Sequence, residues 1–263
     1  MLEKCCLFCE FPLSSRVRAR EDVLPKWLLT HLDLKTSDRL RGVHMSDLGT
    51  PHRPPRVQGA HTILQGAICE KCNNQWMSDL ETTVGPIIRA LSLGHPLSLK
   101  KAEAANLATW TFKTLALYNI TTNYRPLVAL TDFRHVYRER TPPSGRHVEL
   151  AYLSEAVPTT FATRMSPIKF LLLPSNSNKQ DIARRVDESS FVITLQIGKL
   201  LLQVAGLPSF GIWTRCDERR DDVFRIFPQI PDEFPWPPKR NFDGSINSFH
   251  TSVGLRLLFD VSN

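Results

Sequence analysis

The spacing of hydrophobic positions changes along this chain, and the changes mark out its elements. From Glu70 to Leu93 the apolar residues Trp76, Leu80, Val84, Ile87, Ile88 and Leu91 recur at helical spacing, which predicts a helix with one buried face and a bend at Pro86. From Lys101 to Thr121, Ala105, Leu107, Ala108, Trp110, Phe112, Leu115 and Tyr118 give an almost all-round apolar surface, so a second helix is expected between two layers. A short helix is expected over Leu130 to Glu139, followed by a firm break at Thr141-Pro142-Pro143-Ser144-Gly145.

Past that break the pattern turns strand-like at His147–Leu153, Phe161–Leu173, Phe191–Ile197, Lys199–Val204 and Val223–Phe227. Ile197-Gly198-Lys199 reads as a hairpin turn. The poor alternation of Leu200-Leu201-Leu202-Gln203-Val204 predicts a strand covered on both faces. Ser175 to Gln180 reads as a polar loop, Phe234-Pro235-Trp236-Pro237-Pro238 as an ordered loop pinned by Trp236, and Gly254 to Phe259 as a packing segment. The fold class is therefore α+β. We divide the chain into an N-terminal module over 1–95 and, over 96–263, a helical connection followed by a mixed α+β domain.

With 263 residues, 42% hydrophobic and 22% charged, the chain has the composition of a globular protein with a real core. Its longest apolar stretch, Phe191 to Leu207, is interrupted by Gln196, Lys199 and Gln203 and falls short of a membrane span. The first residues contain Glu3, Lys4 and Glu10 and no apolar signal-like run, so a cytoplasmic location is expected, without membrane association. The net charge of +7 suits a polyanionic partner but is spread over the whole chain. Arg16, Arg18 and Arg20 would share one face of a strand, available to phosphates or simply to solvent.

Six cysteines carry the most specific signal. Cys6-Leu7-Phe8-Cys9 and Cys69-Glu70-Lys71-Cys72 each present two thiolates across a tight turn, and two such pairs make a closed four-sulfur zinc site. Cys5 would replace Cys6 only by widening the turn, so Cys5, like Cys216, is expected to be a buried thiol. A closed site of this kind holds structure and leaves catalysis to other residues.

Beside the two cysteine pairs lie Glu21-Asp22-Val23-Leu24-Pro25-Lys26-Trp27 and Asn73-Asn74-Gln75-Trp76-Met77-Ser78-Asp79-Leu80-Glu81. Together with the cysteines, this arrangement resembles the zinc-containing HNH (His-Me finger) endonucleases common in bacteria and phages. The likeness is strong over 5–81 and loose beyond. Leu107 to Thr114 and Trp236-Pro237-Pro238 resemble segments of longer members.

The resemblance implies a ββα-metal, treble-clef-like module that hydrolyses phosphodiester bonds in nucleic acid, DNA ahead of RNA. It implies a catalytic Mg²⁺ or Mn²⁺ held by Glu21 and Asn73. It further implies a general base at position 22, where the family has histidine and this chain has Asp22. Imidazole titrates near pH 6.5 and aspartate near 3.9, so the exchange weakens the base. Three readings stand side by side: a natural non-cutting binder, a chain whose histidine was replaced deliberately, or an active variant using Asp22 as base or extra ligand.

The histidines His31, His44, His52 and His61 lie between the cysteine pairs, and no spacing singles one out as a substitute base. The stretch from Asp33 to Gln58 reads as a long loop, either substrate-binding or a solvent-exposed linker. Trp27 and Trp76 are expected in the core, pinning hairpin to helix, and Asp79 and Glu81 are expected to cap or solvate their helix.

Overall fold

The computed structural model describes residues 5–13, 18–34, 39–42, 56–59, 63–121, 126–167, 190–206 and 222–251. The N-terminal elements are β1 (Arg18–Asp22), α1 (Lys26–His31), β2 (Arg39–Gly42), β3 (Arg56–Gly59), β4 (Ile63–Cys69) and α2 (Glu70–Cys72). A π-helical turn (Asn73–Met77) then leads into α3 (Ser78–Leu93), β5 (Leu97–Lys100), α4 (Lys101–Thr121) and α5 (Leu130–Glu139). The chain continues through β6 (Arg146–Tyr152), β7 (Phe161–Pro167), β8 (Phe191–Ile197), β9 (Leu200–Gly206), β10 (Val223–Phe227) and β11 (Glu233–Trp236). The α+β class is observed.

A five-stranded antiparallel sheet in the order β10-β6-β9-β8-β7 forms the C-terminal layer. Every residue of β8 and β9 is buried. Leu200, Leu202 and Val204 face the main core beneath α4, whereas Leu201 joins Phe242, Ile246 and Phe249 on the opposite face. That double cover removes the polar alternation of a half-exposed strand. The β8–β9 turn is Gly198-Lys199, with Gly198 at φ +53. A side chain at Gly198 would press on the carbonyl oxygens of Ser92 and Pro158, at 2.6 Å from each, so the turn needs glycine twice over.

Helix α4 has the expected bounds and is buried almost all round. It packs on α3 and α5 as well as on β6, β8, β9 and β10. Helix α3 ends where Gly94, at φ +75, lets the His95 amide reach back to the Ala90 carbonyl at 2.9 Å, satisfying an otherwise orphaned helix-end group. The Lys199 amide bonds the Ser92 carbonyl at 2.8 Å, which ties this helix end to the sheet turn.

Several elements differ from the sequence expectations. Phe234-Pro235-Trp236 is strand rather than loop, because β11 pairs with β5. Pro235, which lacks an amide proton, is tolerated because this sheet has only two strands. Trp236 is nonetheless buried, as expected, and its indole N–H donates to the Leu91 carbonyl at 3.1 Å. The Asp33–Gln58 stretch contains β2 and most of β3, paired from Arg39↔Gly59 to Gly42↔Arg56. The helix after Cys69 is interrupted by the π-turn, where Gln75 departs from helical geometry (φ −109, ψ −105), whereas Pro86 lies inside continuous α3. The expected strand from Phe161 is described as far as Pro167. Its remainder to Leu173, together with Ser175 to Gln180, Gly254 to Phe259 and Cys216, lies outside the described residues. Among the described residues no helix is long and apolar enough to cross a membrane.

Candidate metal centre

The first cysteine pair is shaped by its own backbone. The Cys6 amide bonds the Phe11 carbonyl, and the Glu10 amide returns to the Cys6 carbonyl at 3.0 Å, with Glu10 in the left-handed region at φ +61. The Leu7 amide then bonds the Ala67 carbonyl at 2.9 Å, which fastens the first knuckle to β4 just before Cys69. At the other end of the site, Cys69 caps α2 and its sulfur accepts the Cys72 amide at 3.4 Å. The Cys69 amide in turn donates to the Cys6 sulfur at 3.4 Å.

These bonds bring the four sulfurs of Cys6, Cys9, Cys69 and Cys72 within 4.8 Å of one another. A tetrahedral zinc with Zn–S bonds near 2.3 Å requires sulfur separations of about 3.8 Å. The Cys9 and Cys69 sulfurs are 3.6 Å apart, close to that value and far beyond a disulfide. All four thiols are free, and all but Cys9 are buried. The donor set and spacing fit a closed, structural tetrathiolate zinc site with no open coordination position.

Electrostatics agree with a site prepared for a cation. The Cys6 thiol is pushed down to about 4, chiefly by a hydrogen bond from the Cys72 side chain and also by backbone amides, against the opposing effect of burial. Cys72 moves up, first because it donates to the Cys6 sulfur and then because it is buried. Burial also raises Cys9. Cys6 is thus the sulfur readiest to be anionic, and a bound cation would displace the protons that Cys9 and Cys72 hold.

Aromatic packing anchors the site to the core. Phe8, inside the first knuckle, meets Trp76 edge-on at 5.1 Å and Phe133 of α5 at 5.5 Å. Trp76 is buried, as expected, whereas Trp27 is only half-buried, between Gly85 of α3 and Trp110. The role of Phe8 was open to inference: a bulky aromatic inside a tight cysteine turn needs somewhere to pack.

Cys5 is exposed rather than buried, and its backbone bridges to Pro12. Glu81 neither caps nor solvates α3; it is paired with Lys113 of α4. Asp79 is exposed.

The remaining predicted site residues are placed by the β1–β4 ladder, which runs from Arg18↔Cys69 to Glu21↔Leu64 and Asp22↔Ile63. A register shift between Arg18 and Arg20 marks a bulge, which interrupts the simple alternation expected for the arginine run. Arg16 lies outside the described residues. Glu21 and Asp22 therefore end β1 toward the far end of the ladder from Cys69. Asn73 opens the π-turn immediately after Cys72, and its amide donates to the Asn74 side chain at 3.2 Å.

The structure brings the four cysteines together, whereas the side chain of Glu21 lies outside the described residues. Among the described residues, the cysteines make the one cluster of three or more His, Cys, Asp or Glu side chains fit for a metal. His44, His52 and His61 lie outside the described residues. His31 is engaged with the Ser92 hydroxyl at 2.7 Å, and burial, reinforced by Arg89, lowers its pKa. Comparison with known protein families, curated proteins and solved structures returns no match for this chain.

Proposed function

We propose that the chain is a zinc-stabilised ββα-metal, treble-clef-like nuclease of HNH type, with its working module over 1–95, acting on phosphodiester bonds of nucleic acid and on DNA ahead of RNA. The observation that carries this reading is one continuous backbone path. Strand β1 ends on Glu21-Asp22, its partner β4 ends on the cysteine ligand Cys69, and Asn73 directly follows the last ligand, Cys72. Hairpin, knuckle and helix thus meet around one buried sulfur cluster.

Glu21 and Asn73 would hold a Mg²⁺ or Mn²⁺ ion, which when bound supplies Lewis-acid polarisation of the phosphate and stabilises charge on the leaving oxygen. The role of the zinc clasp is to fix hairpin against helix. Asp22, beside Glu21, acts as a further hard-oxygen ligand or as a weak base for the attacking water.

A second reading, a nucleic-acid binder that no longer cuts, is favoured by Asp22 itself, since loss of a general base costs about 10²–10⁴-fold in rate. Plasmid nicking in Mg²⁺ or Mn²⁺ separates the two, using the chain as it stands and Asp22→His. Cleavage by either protein, abolished by Glu21→Ala, supports the nuclease. Salt-dependent binding with no cleavage by both leaves only the binder.

A further inference from the structure

At the end of α5, Arg140 adopts the left-handed conformation at φ +55, a position usually given to glycine or asparagine. Its backbone is fixed by the Thr109 hydroxyl of α4, which donates to the Arg140 carbonyl at 2.9 Å. The guanidinium stacks 4.5 Å from the Trp76 ring centroid and 4.8 Å from that of Tyr137, and it donates to the Tyr137 carbonyl. No carboxylate pairs with Arg140 among the described residues, and the residue is exposed. Trp76 also packs on Phe8 of the zinc knuckle and lies three residues after Asn73 in the same π-turn.

A cation held between two rings that meet at 64°, with most of its five N–H donors uncommitted, has the reduced residual freedom that phosphate recognition favours. Lys71, Asn74 and Gln75, close in sequence to Trp76, and Arg138, two residues before Arg140, are exposed. By contrast, Arg134 on the same helix is tied to Glu10 at 3.0 Å.

We propose that Arg140, mounted on Trp76 and Tyr137, is a contact for a backbone phosphate of bound nucleic acid, placed beside the Asn73 turn. The inference rests on the nucleic-acid reading above and assigns that reading a specific anchoring residue. Arg140 positions substrate and takes no part in bond cleavage. Neither base identity nor sugar type enters the contact, so it discriminates little between sequences.

The test is fluorescence anisotropy with a labelled DNA duplex, without added divalent metal, between about 50 and 200 mM salt. It compares the zinc-loaded protein with Arg140→Gln and Arg140→Lys, each checked for retained zinc and an unchanged far-UV spectrum. Arg140→Gln is expected to weaken binding severalfold and to lower the slope of log K against log salt by about 0.9, the loss of one phosphate contact. Arg140→Lys is expected to keep the slope while losing affinity, because charge remains but the stacked fork does not.

If the parent protein binds and Arg140→Gln leaves affinity and slope unchanged, the Arg140 assignment fails and the nuclease reading is untouched. If the parent protein does not bind nucleic acid at any salt, both fall. Cleavage plays no part in the measurement, so an inactive enzyme does not obscure the result.

Discussion

The ammonium of Lys113 lies 2.6 Å from a carboxylate oxygen of Glu81, and the lysine side chain is wholly buried while the glutamate keeps 19% of its surface. This ion pair joins α3, which follows the second cysteine pair, to α4, the helix packed between α3, α5 and the five-stranded sheet. A buried charge is costly unless paired, so the two residues are a fixed unit and neither is a tolerant surface position.

Removing one partner should therefore hurt more than removing both. Glu81→Gln leaves Lys113 without its counter-charge and is expected to cost about 3 kcal/mol, the lower end for breaking a buried pair because Glu81 is partly solvated. Lys113→Met together with Glu81→Gln should recover a substantial part of that loss. Urea unfolding of the parent, the two single variants and the double variant gives the ordering, and additive effects would contradict it.

Zinc is expected at one ion per chain by elemental analysis. Cys9→Ser or Cys72→Ser should lose the ion and lower the melting temperature, while Cys5→Ser should retain both, since Cys5 is exposed and outside the cluster. A strong chelator should reproduce the effect of the first two variants.

A pH dependence follows from His250. Its Nδ1 lies 2.9 Å from the Thr194 hydroxyl and its Nε2 lies 2.7 Å from the Ser166 hydroxyl. Gln203 donates to the Thr194 oxygen, which leaves that hydroxyl able to donate onward to Nδ1, the arrangement that suits a neutral ring with its proton on Nε2. Burial, with Arg164 nearby, pushes the imidazole from 6.5 down to about 4. As pH falls through 6.5 the unfolded chain takes up a proton that the folded one refuses until about 4. Stability therefore declines over that window and is fully retained above it, by about 3 kcal/mol at most. Melting curves of the parent and His250→Gln should converge as the pH is lowered from 7 to about 4.5; a constant difference would reject this account.

Gly85 lies inside α3 facing Trp27, and a methyl group there would sit 3.7 Å from the indole, an ordinary contact. Residue 85 precedes Pro86, however, whose ring disfavours helical backbone for a residue carrying a Cβ, so Gly85→Ala should change stability by less than about 1 kcal/mol. Gly94→Ala should destabilise clearly, because φ is +75 and the new carbon would meet the Tyr152 hydroxyl at 2.6 Å. Thermal denaturation of the two variants checks the contrast.

Elements whose signal is local were legible in the sequence. Helices α4 and α5 and strands β8 and β10 match their expected limits, because apolar runs, the helical spacing of Phe133 and Val136 and a glycine turn mark them without reference to the rest of the chain. The cysteine cluster was legible for the same reason: its spacing repeats. What escaped depends on distant partners. Leu97-Ser98-Leu99-Lys100 becomes a strand only because Phe234 and Trp236 arrive opposite Leu99 and Leu97. Glu81 reads as a surface residue until Lys113 is placed against it. The π-turn at Gln75 has no compositional mark, and nothing local to Cys5 distinguishes its exposed thiol from the buried one of Cys6.

The sulfur clasp joins positions separated by sixty residues, Cys9 and Cys69. A link of that reach is insensitive to how much polypeptide it encloses, since doubling a flexible loop adds only about 0.6 kcal/mol of closure entropy. Connections between the elements of that stretch can therefore change length cheaply, whereas β1, α1 and β4 are held by their pairing and by the buried Val23, Leu24, Leu28, Leu29 and Ile68. Room for insertion lies inside the clasp at little cost to folding.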